Sequence, residues 1–157
     1  MVRLKPAALA LSGAGLIAIA GYEGYSGTAY RDTGGILTVG YGHTGAEITP
    51  STRITAPQAL KLLGRDVGRT EAALQKCLGA DALLTQGEWD AYTSLAYNVG
   101  AGAVCKSSIP RKLRAGQYAA ACKTILDFDK VRVNGRLIKS QGLANRRRSE
   151  YEKCIKK

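Results

Sequence analysis

Histidine is nearly absent from this chain, and cysteine is scarce. The 157 residues contain one histidine and four cysteines, and no two cysteines form a C-x-x-C pair. Zinc sites draw on several closely spaced cysteines and histidines, so this composition argues against a metal centre. The chain also lacks internal repeats and low-complexity linkers, and its length is enough to bury one sizeable core. We therefore expect a single globular domain that requires neither a metal nor a cofactor.

Acidic residues are fewer than basic ones, and the imbalance lies in the last third of the chain. The chain has 23 Lys and Arg against 12 Asp and Glu, a formal net charge of +11. Residues 1–100 carry eight of each sign, whereas residues 101–157 carry fifteen basic and four acidic residues. Such an excess favours association with polyanions, which include nucleic acid, anionic lipid head groups and the acidic polymers of a bacterial envelope. The three consecutive arginines at 146–148 are interpreted as part of a solvated basic face.

Charged residues are missing from residues 6–22, which follow Arg3 and Lys5 and consist largely of Ala, Gly, Leu and Ile. This arrangement is typical of an export signal. As one helix the run would span about 25 Å, short of the ~30 Å hydrocarbon core of a bilayer, and its Gly and Ser residues weaken insertion. It could be cleaved after Ala20, retained as a membrane anchor, or buried as a core helix. We favour retention, because cleavage would leave Glu23 three residues from a frayed N-terminus.

The four cysteines, Cys77, Cys105, Cys122 and Cys154, suit disulfide bonds in a protein that works outside the cytoplasm. Four cysteines permit three pairings, and the sequence does not decide among them. Pairing of sequence neighbours, Cys77 with Cys105 and Cys122 with Cys154, is favoured. Four free buried thiols are the alternative.

Secondary-structure signals predict a small sheet followed by helices. Apolar residues between turn residues from Tyr30 to Ile48 predict a short antiparallel sheet, with turns at residues 32–35 and 42–45. A capping-box pattern at residues 55–58 begins a helix that continues to about residue 76. A second capping box at residues 85–88 begins a central, buried helix that ends near Gly100.

The last third of the chain continues this helical pattern. Residues 110–115 and 117–128 are expected to be helical, Asn134-Gly135 predicts a tight hairpin over residues 131–137, and residues 143–155 predict a basic terminal helix. The fold class is therefore α+β and mainly α. We expect a small N-terminal β-lobe and a larger helical lobe that share one cleft.

Two carboxylates near the start of the predicted sheet suit glycoside hydrolysis. That reaction needs one carboxylic acid to protonate the leaving oxygen and a second carboxylate to activate water or stabilise the developing cation. Glu23 ends an apolar run, where shielding from water would keep it protonated, while Asp32 lies nine residues later in a polar turn. Thr38, on the next predicted strand, has a hydroxyl that could hold a water against Asp32. A Glu and an Asp at this spacing usually have structural roles, so spacing alone does not establish catalysis.

The residues around this set follow a longer pattern. Residues 23–43 read E-G-x-x-x-x-x-Y-x-D-x-x-G-x-x-T-x-G-x-G-H. This pattern resembles the signature of the phage lysozymes, a glycoside hydrolase family that includes the lysozymes of T-even and lambdoid phages. The resemblance covers nearly all of the chain outside the N-terminal run. It includes Leu84-Thr85-Gln86, Asp90-Ala91, Ala96-Tyr97-Asn98-Val99-Gly100, Gly142-Leu143, Asn145-Arg146-Arg147 and Glu150.

The resemblance implies a lysozyme-like fold and a muramidase catalytic domain over residues 23–157. It implies that Glu23 is the general acid, Asp32 the second carboxylate and Thr38 its partner in holding the water. The bond hydrolysed would be the β-1,4 bond between N-acetylmuramic acid and N-acetylglucosamine in bacterial peptidoglycan. The roles assigned from the residues and those implied by the family agree.

Three further residues match positions of the family. Tyr97 and Asn98 fall where the family's central helix borders the cleft, which makes them candidate substrate-binding residues. Core packing and helix capping are their alternative roles. The resemblance implies a structural role for His43.

The N-terminal run also has a parallel in this family, since some lambdoid endolysins are signal-arrest-release proteins. Residues 1–22 are therefore predicted to form an uncleaved signal-anchor helix. It would tether the enzyme in the host inner membrane until the segment leaves the bilayer and the enzyme enters the periplasm. The predicted partners are peptidoglycan strands and, transiently, the inner membrane. The chain is expected to be a monomer that binds no nucleic acid.

Two other functions compete with that of a phage endolysin that lyses its host. A lytic transglycosylase cuts the same bond with one acid and lets a hydroxyl of the substrate attack. Asp32 and Thr38 argue against it, because a route without water needs neither residue. A cationic membrane-perturbing protein without enzymatic activity is favoured by the basic last third and the apolar N-terminus.

Overall fold

The structure is a computed structural model that describes residues 2–32 and 34–156. Within these residues helices predominate, and the strands form two small antiparallel sheets. The helices are α1 Gly13–Glu23, α2 Ala56–Leu78, α3 Gln86–Val99, α4 Ala101–Lys106, α5 Ile109–Arg114, α6 Tyr118–Thr124 and α7 Gln141–Ile155. The strands are β1 Ser26–Arg31, β2 Leu37–Gly40, β3 His43–Thr44, β4 Lys130–Val133 and β5 Arg136–Lys139. The predicted α+β, mainly α class is confirmed.

The chain divides into two compact units, one of Leu16–Arg69 and one of the residues up to Gly15 with those from Thr70 onward. The first unit contains a three-stranded antiparallel sheet in the order β1-β2-β3. Strand β1 begins at Ser26, earlier than the predicted sheet, because its first residues lack the apolar alternation that marks a strand. At Gly40 the φ angle is +69°, and a Cβ there would lie 3.1 Å from that of Ala59, so both backbone and space favour glycine.

Helix α3 is the central element of the second unit. Its side chains Trp89, Tyr92 and Leu95 are completely buried, and it packs against α7. The predicted capping box is present, since Thr85 accepts a hydrogen bond from the backbone N–H of Glu88 and the Glu88 carboxylate accepts one from that of Thr85. Burial raises the pKa of the Tyr92 hydroxyl well above its usual range. This helix therefore matches the buried helix expected from the sequence.

The other helices of this unit follow the predicted pattern with one exception. Helices α5, α6 and α7 lie within a few residues of the predicted segments, and a short 3-10 turn, Ile125–Asp127, continues α6. Helix α4 was not predicted, because its six residues are too few to display a helical period. The hairpin of β4 and β5 turns at Asn134 and Gly135, whose φ angles are +48° and +80°. Those angles are the ones that a tight two-residue hairpin turn requires.

The arginine run of α7 is not the solvated face that the sequence suggested. Arg147 is completely buried and Arg146 nearly so, whereas Arg148 is exposed. Both buried guanidinium groups pair with the carboxylate of Glu150, at 3.1 Å from Arg146 Nε and 2.8 Å from Arg147 Nε. That carboxylate also accepts a hydrogen bond from Ser94 of α3 at 2.7 Å. Arg146, Arg147 and Glu150 therefore form a buried ion-pair cluster within α7, and this cluster is hydrogen-bonded to Ser94 of α3.

Both disulfide bonds lie in the second unit and join sequence neighbours. Cys77 pairs with Cys105 and Cys122 with Cys154, with Cα atoms 5.5 Å and 5.7 Å apart. These are the pairs that the sequence analysis favoured. The first bond ties the end of α2 to α4, and the second ties α6 to α7.

The apolar N-terminal run differs from the single helix expected over residues 6–22. A 3-10 turn, Pro6–Ala8, is followed by extended chain, and regular helix begins only at Gly13. The break arises because polar groups at Leu11 and Ser12 bind carboxylates far along the chain instead of continuing a helical ladder. In the part of the chain that the structure describes, no helix has both the length and the apolar character needed to cross a bilayer.

Candidate active site

Glu23 is the last residue of α1 and is half-buried. Gly24 follows it with a φ angle of +70°, which ends the helix and turns the chain toward β1. The Glu23 carboxylate lies against Gly42, where a Cβ would be 3.3 Å from Glu23 Oε2. The shielding expected for Glu23 is therefore only partial.

Asp32 lies in the turn that joins β1 to β2. Its Oδ1 atom accepts hydrogen bonds from the backbone N–H groups of Gly34 at 2.8 Å and Ile36 at 2.9 Å. The backbone of Asp32 also pairs with that of Ile36 and accepts a bond from Gly35. Thr33, which belongs to the predicted turn, lies outside the described residues. The described contacts hold one carboxylate oxygen in the turn and orient the side chain.

Thr38 is the second residue of β2 and is buried. Its hydroxyl donates a hydrogen bond to the carbonyl of Ile36 at 3.0 Å, so the oxygen lone pairs remain to accept a hydrogen bond from another group. Strand pairing sets Thr38 opposite Tyr30. Because directly paired residues lie on the same face of a sheet, Thr38 shares a face with Tyr30, two residues before Asp32.

Strand β2 and its two flanking turns thus collect the three candidate residues within one compact unit. Asp32 lies in the turn before β2, Thr38 lies in the strand, and the Glu23 carboxylate reaches Gly42 in the turn after it. Hydrolysis of a glycoside requires a carboxylic acid and a second carboxylate, and this strand region offers two carboxyl groups together with a hydroxyl.

His43 supports this strand region from β3. It is buried, and its two ring nitrogens contact carboxylates, Nδ1 that of Asp66 at 2.6 Å and Nε2 that of Glu47 at 3.1 Å. The pKa of Glu47 lies below its usual value of 4.5, because the backbone N–H of Glu47 and then the imidazole of His43 hydrogen-bond to its carboxylate. Arg65 lies 3.6 Å from the same Glu47 carboxylate. These contacts give His43 the structural position that the family resemblance implies.

Tyr97 and Asn98 lie in the last turn of α3, in the second unit, and both are half-buried. Neither caps the helix, because the C-terminal cap is Gly100 with a φ angle of +86°. Helix capping, one of the alternative roles of Asn98, is therefore not seen.

Three acidic residues that sequence analysis did not single out bind the N-terminal segment within the second unit. Glu88 accepts two hydrogen bonds from Arg3, at 2.5 Å and 2.9 Å, and Asp90 accepts bonds from both the backbone and the hydroxyl of Ser12. Glu71 accepts the backbone N–H of Leu11 at 2.6 Å. Glu88 and Asp90 are buried, which is unusual for acidic residues. This burial, seen only in the structure, identifies them as acids that have partners in the fold.

The Arg3 guanidinium also lies 3.4 Å from the centre of the Tyr118 ring. Further contacts extend along the segment, since Leu4 and Leu84 exchange two backbone hydrogen bonds and Gln86 donates to the carbonyl of Ala10. Residues 3–12 are thus held by charge, by backbone pairing and by a cation–π contact.

Comparison with known proteins agrees with this fold. A small antiparallel sheet with a mainly helical remainder defines the lysozyme-like class. The endolysin of Escherichia coli O157:H7 phage FAHEc1 has a similar structure, with a TM-score of 0.85 at 35% identity over 94% of both chains. An endolysin of Acyrthosiphon pisum secondary endosymbiont phage 1 is 35% identical over 140 residues, 89% of this chain and 94% of the relative.

A third relative, the SAR-endolysin of Pseudomonas phage phiKMV, is 33% identical over 153 residues, 97% of this chain and 91% of the relative. The phage lysozyme family model matches residues 20–150. The chain therefore belongs to the phage lysozyme family, as the motif of residues 23–43 predicted. It is an endolysin with the glycoside hydrolase activity of that family, and its substrate is bacterial peptidoglycan.

Proposed function

We propose that Glu23, Asp32 and Thr38 hydrolyse the β-1,4 bond between N-acetylmuramic acid and N-acetylglucosamine. The observation that carries this proposal is the arrangement around β2, which brings two carboxylates and a hydroxyl to one strand and its turns. Each has a chemistry that the reaction needs, and none has a role in the hydrophobic core.

Glu23 acts as the general acid in this proposal. Its half-buried position at the end of α1 leaves one side accessible to a leaving oxygen. A carboxyl group within hydrogen-bonding reach of that oxygen can transfer its proton as the bond breaks.

Asp32 and Thr38 hold the attacking water. Two backbone N–H groups fix Asp32 through Oδ1, so Oδ2 is the oxygen that turns toward a water. The Thr38 hydroxyl donates a hydrogen bond to the carbonyl of Ile36, so its oxygen can accept a hydrogen bond from the same water, which keeps that proton. The second proton then passes to Asp32 as the water attacks the sugar.

Tyr97 and Asn98 are proposed to bind the glycan strand. A tyrosine ring offers a flat face for a sugar ring, and an asparagine amide can both donate to and accept from an N-acetyl group. Their half-buried position leaves part of each side chain accessible for such contacts.

Residues 1–22 are proposed to act first as an uncleaved signal anchor of the catalytic domain 23–157. The support is the charge-free run at residues 6–22 behind Arg3 and Lys5, and a relative named SAR-endolysin that aligns with 97% of this chain. In this proposal the enzyme is tethered in the inner membrane and later enters the periplasm. The anchored segment would have a conformation other than the one described above.

Docking of residues 3–12 would stabilise the released enzyme. With the segment in lipid, the buried acids Glu88 and Asp90 would lack Arg3 and Ser12 as partners. Glu88 would keep the hydrogen bond from the Thr85 N–H, and Asp90 the one from Gln86, but Glu88 would lack its cation and Asp90 two of its donors. Loss of these partners is costly for buried carboxylates, so the folded domain favours recapture of the segment. Loss of the membrane potential would trigger release, because it relaxes the field that holds the basic end in the cytoplasm.

The catalytic assignment is tested with Glu23→Gln and Asp32→Asn. Each variant should reduce clearing of a peptidoglycan suspension by several orders of magnitude while unfolding at the temperature of the wild type. Glu152→Gln and Asp81→Asn, which change exposed acids of the other unit, are matched controls and should clear normally. Near-normal clearing by Glu23→Gln or Asp32→Asn would exclude the proposed roles.

The anchoring proposal is tested by expressing the full chain and separating membranes from periplasm before and after adding an uncoupler. Uncleaved chain should move from the membrane to the periplasm as lysis begins. A product that starts at Gly21 would instead demonstrate an ordinary cleaved signal peptide.

A further inference from the structure

The hairpin of β4 and β5 is exposed on both of its faces. All eight residues of the two strands are exposed, among them Val131, Val133, Leu137 and Ile138, whose exposed fractions are 40%, 45%, 61% and 50%. A two-stranded hairpin without a buried face is only marginally stable in water. A surface that covers its aliphatic side chains would stabilise it.

The strand register separates the residues by face. Val131 pairs with Ile138 and Val133 with Arg136, while Lys130 pairs with Lys139 and Arg132 with Leu137. Paired residues lie on the same face of a hairpin, and successive pairs alternate between faces. One face therefore has three aliphatic side chains with Arg136 near the turn, and the other has three cations with Leu137.

The cations are not equivalent. Lys130 and Lys139 lie 3.0 Å and 3.4 Å from the carboxylate of Asp129. Their hydrogen bonds, that from Lys130 more strongly than that from Lys139, hold the pKa of Asp129 below its usual range. Arg132 donates to the carbonyl of Gly135 near the turn. In the described residues no carboxylate pairs with Arg132 or Arg136. Asp129 thus balances one of the two lysine charges at the base of the hairpin, whereas neither arginine near the turn has such a partner. Of these two, Arg136 lies on the aliphatic face and Arg132 on the other.

The composition of the hairpin argues against two other partners. Sugar rings are bound by aromatic side chains, and residues 130–139 include none. Pairing with a second copy through the open strand edges is opposed by the lysines and arginines along both strands, because like charges repel and charged residues protect edges. Branched aliphatic side chains beside arginines suit the boundary of a phospholipid bilayer.

We propose that the β4–β5 hairpin is a peripheral docking surface for an anionic phospholipid bilayer. Val131, Val133 and Ile138 enter the boundary between head groups and acyl chains, and Arg136 on the same face binds a lipid phosphate. Arg132, near the turn on the opposite face, adds positive charge that attracts the anionic surface. The basic excess of residues 101–157 draws the enzyme toward such a surface. Docking would keep the soluble enzyme close to a membrane, independently of residues 1–22.

The test uses the full chain and vesicles of phosphatidylethanolamine with phosphatidylglycerol, with pure phosphatidylcholine as the neutral comparison. Val131→Thr/Val133→Thr/Ile138→Thr removes the aliphatic face but keeps branched side chains that suit strands. We expect it to lower the partition coefficient about tenfold. Arg132→Gln/Arg136→Gln should lower it about 25-fold, since each cation near an anionic surface contributes about fivefold.

Matched controls change the same chemistry elsewhere. Leu60→Gln/Leu83→Gln removes two exposed aliphatic side chains, and Arg111→Gln/Arg114→Gln removes two exposed charges of α5. Both should change vesicle binding less than threefold. All variants share the same N-terminal segment, so differences among them report the hairpin. Clearing of purified peptidoglycan should be unchanged in the hairpin variants.

Three results would overturn the proposal. Wild-type binding could be equal on anionic and neutral vesicles, or the threonine variant could bind vesicles as the wild type does. Alternatively, the hairpin variants could lose binding to intact peptidoglycan sacculi while vesicle binding stays the same, which would make the hairpin a wall-binding surface.

Discussion

At the scale of single residues, Thr38 could serve the enzyme in two ways, by packing or by the chemistry of its hydroxyl. The side chain is buried and its hydroxyl donates to Ile36, so either the methyl group or the lone pairs could be what the enzyme needs. We predict that Thr38→Val, which keeps the shape, lowers kcat about a hundredfold, whereas Thr38→Ser retains most activity. Steady-state rates on soluble glycan fragments measure this. Retained activity in Thr38→Val with a loss in Thr38→Ser would instead assign Thr38 a packing role.

Glu47 gives a pH dependence with a defined sign. Its pKa in the folded protein is below the usual value of 4.5, because its own backbone N–H and His43 favour the ionised form. A carboxyl whose folded pKa is depressed stabilises the protein above the unfolded pKa, and this contribution is lost as the pH falls through the folded value. Glu47→Gln should therefore unfold at a lower temperature than the wild type at pH 6.

The two proteins should converge as the pH is lowered past the folded pKa of Glu47. Thermal unfolding from pH 6 to pH 2.5 measures the difference. A gap that widens in acid would contradict the assigned contacts, and Glu152→Gln serves as the control at an exposed site.

At the scale of elements, the N-terminal segment is tied to the helical unit mainly by its polar groups. Arg3 is partly exposed, but Glu88 beneath it is buried. Arg3→Ala leaves that carboxylate without its cation, and we expect unfolding in urea to require about 2 kcal/mol less. Arg3→Ala/Glu88→Gln should recover part of this loss, because the uncompensated charge is gone. Additive losses in the double variant would show that the two residues do not interact.

The disulfide between Cys122 and Cys154 links α6 to the terminal helix. It closes a loop with a sequence separation of 32, and Cys122→Ser/Cys154→Ser should destabilise the protein by about 3 kcal/mol. Denaturation curves with and without reductant measure the effect. Reductant should destabilise the double variant less than the wild type, because only Cys77–Cys105 remains to be broken. Wild-type stability that reductant does not alter would contradict this prediction.

At the scale of the whole molecule, the features predicted from sequence were those determined by near neighbours. The capping box at Thr85 and the Asn134-Gly135 turn depend on residues within four positions, so local patterns identify them. The motif of residues 23–43 likewise lies within one hairpin and its flanks. Its spacing led to Glu23, Asp32 and Thr38, whose roles remain a prediction.

The features missed depend on partners far along the chain. Arg147 appeared solvated in the sequence. Its ion-pair partner Glu150 is only three residues away, but the burial of the pair depends on packing against α3, whose Ser94 donates a hydrogen bond to Glu150. Regular helix starts only at Gly13 because Asp90, 78 residues beyond Ser12, binds that residue. No local pattern reports such pairs, since they form only when the fold brings α3 to them.

Digestion of peptidoglycan in water enriched in oxygen-18 tests directly whether Glu23, Asp32 and Thr38 add water across the glycosidic bond. Mass spectrometry of the released fragments should find reducing N-acetylmuramic acid ends that carry one oxygen-18 atom, and the Glu23→Gln variant should release none above background. Fragments with anhydro ends and no label would contradict the account, because they form when the substrate's own hydroxyl attacks and no water is added.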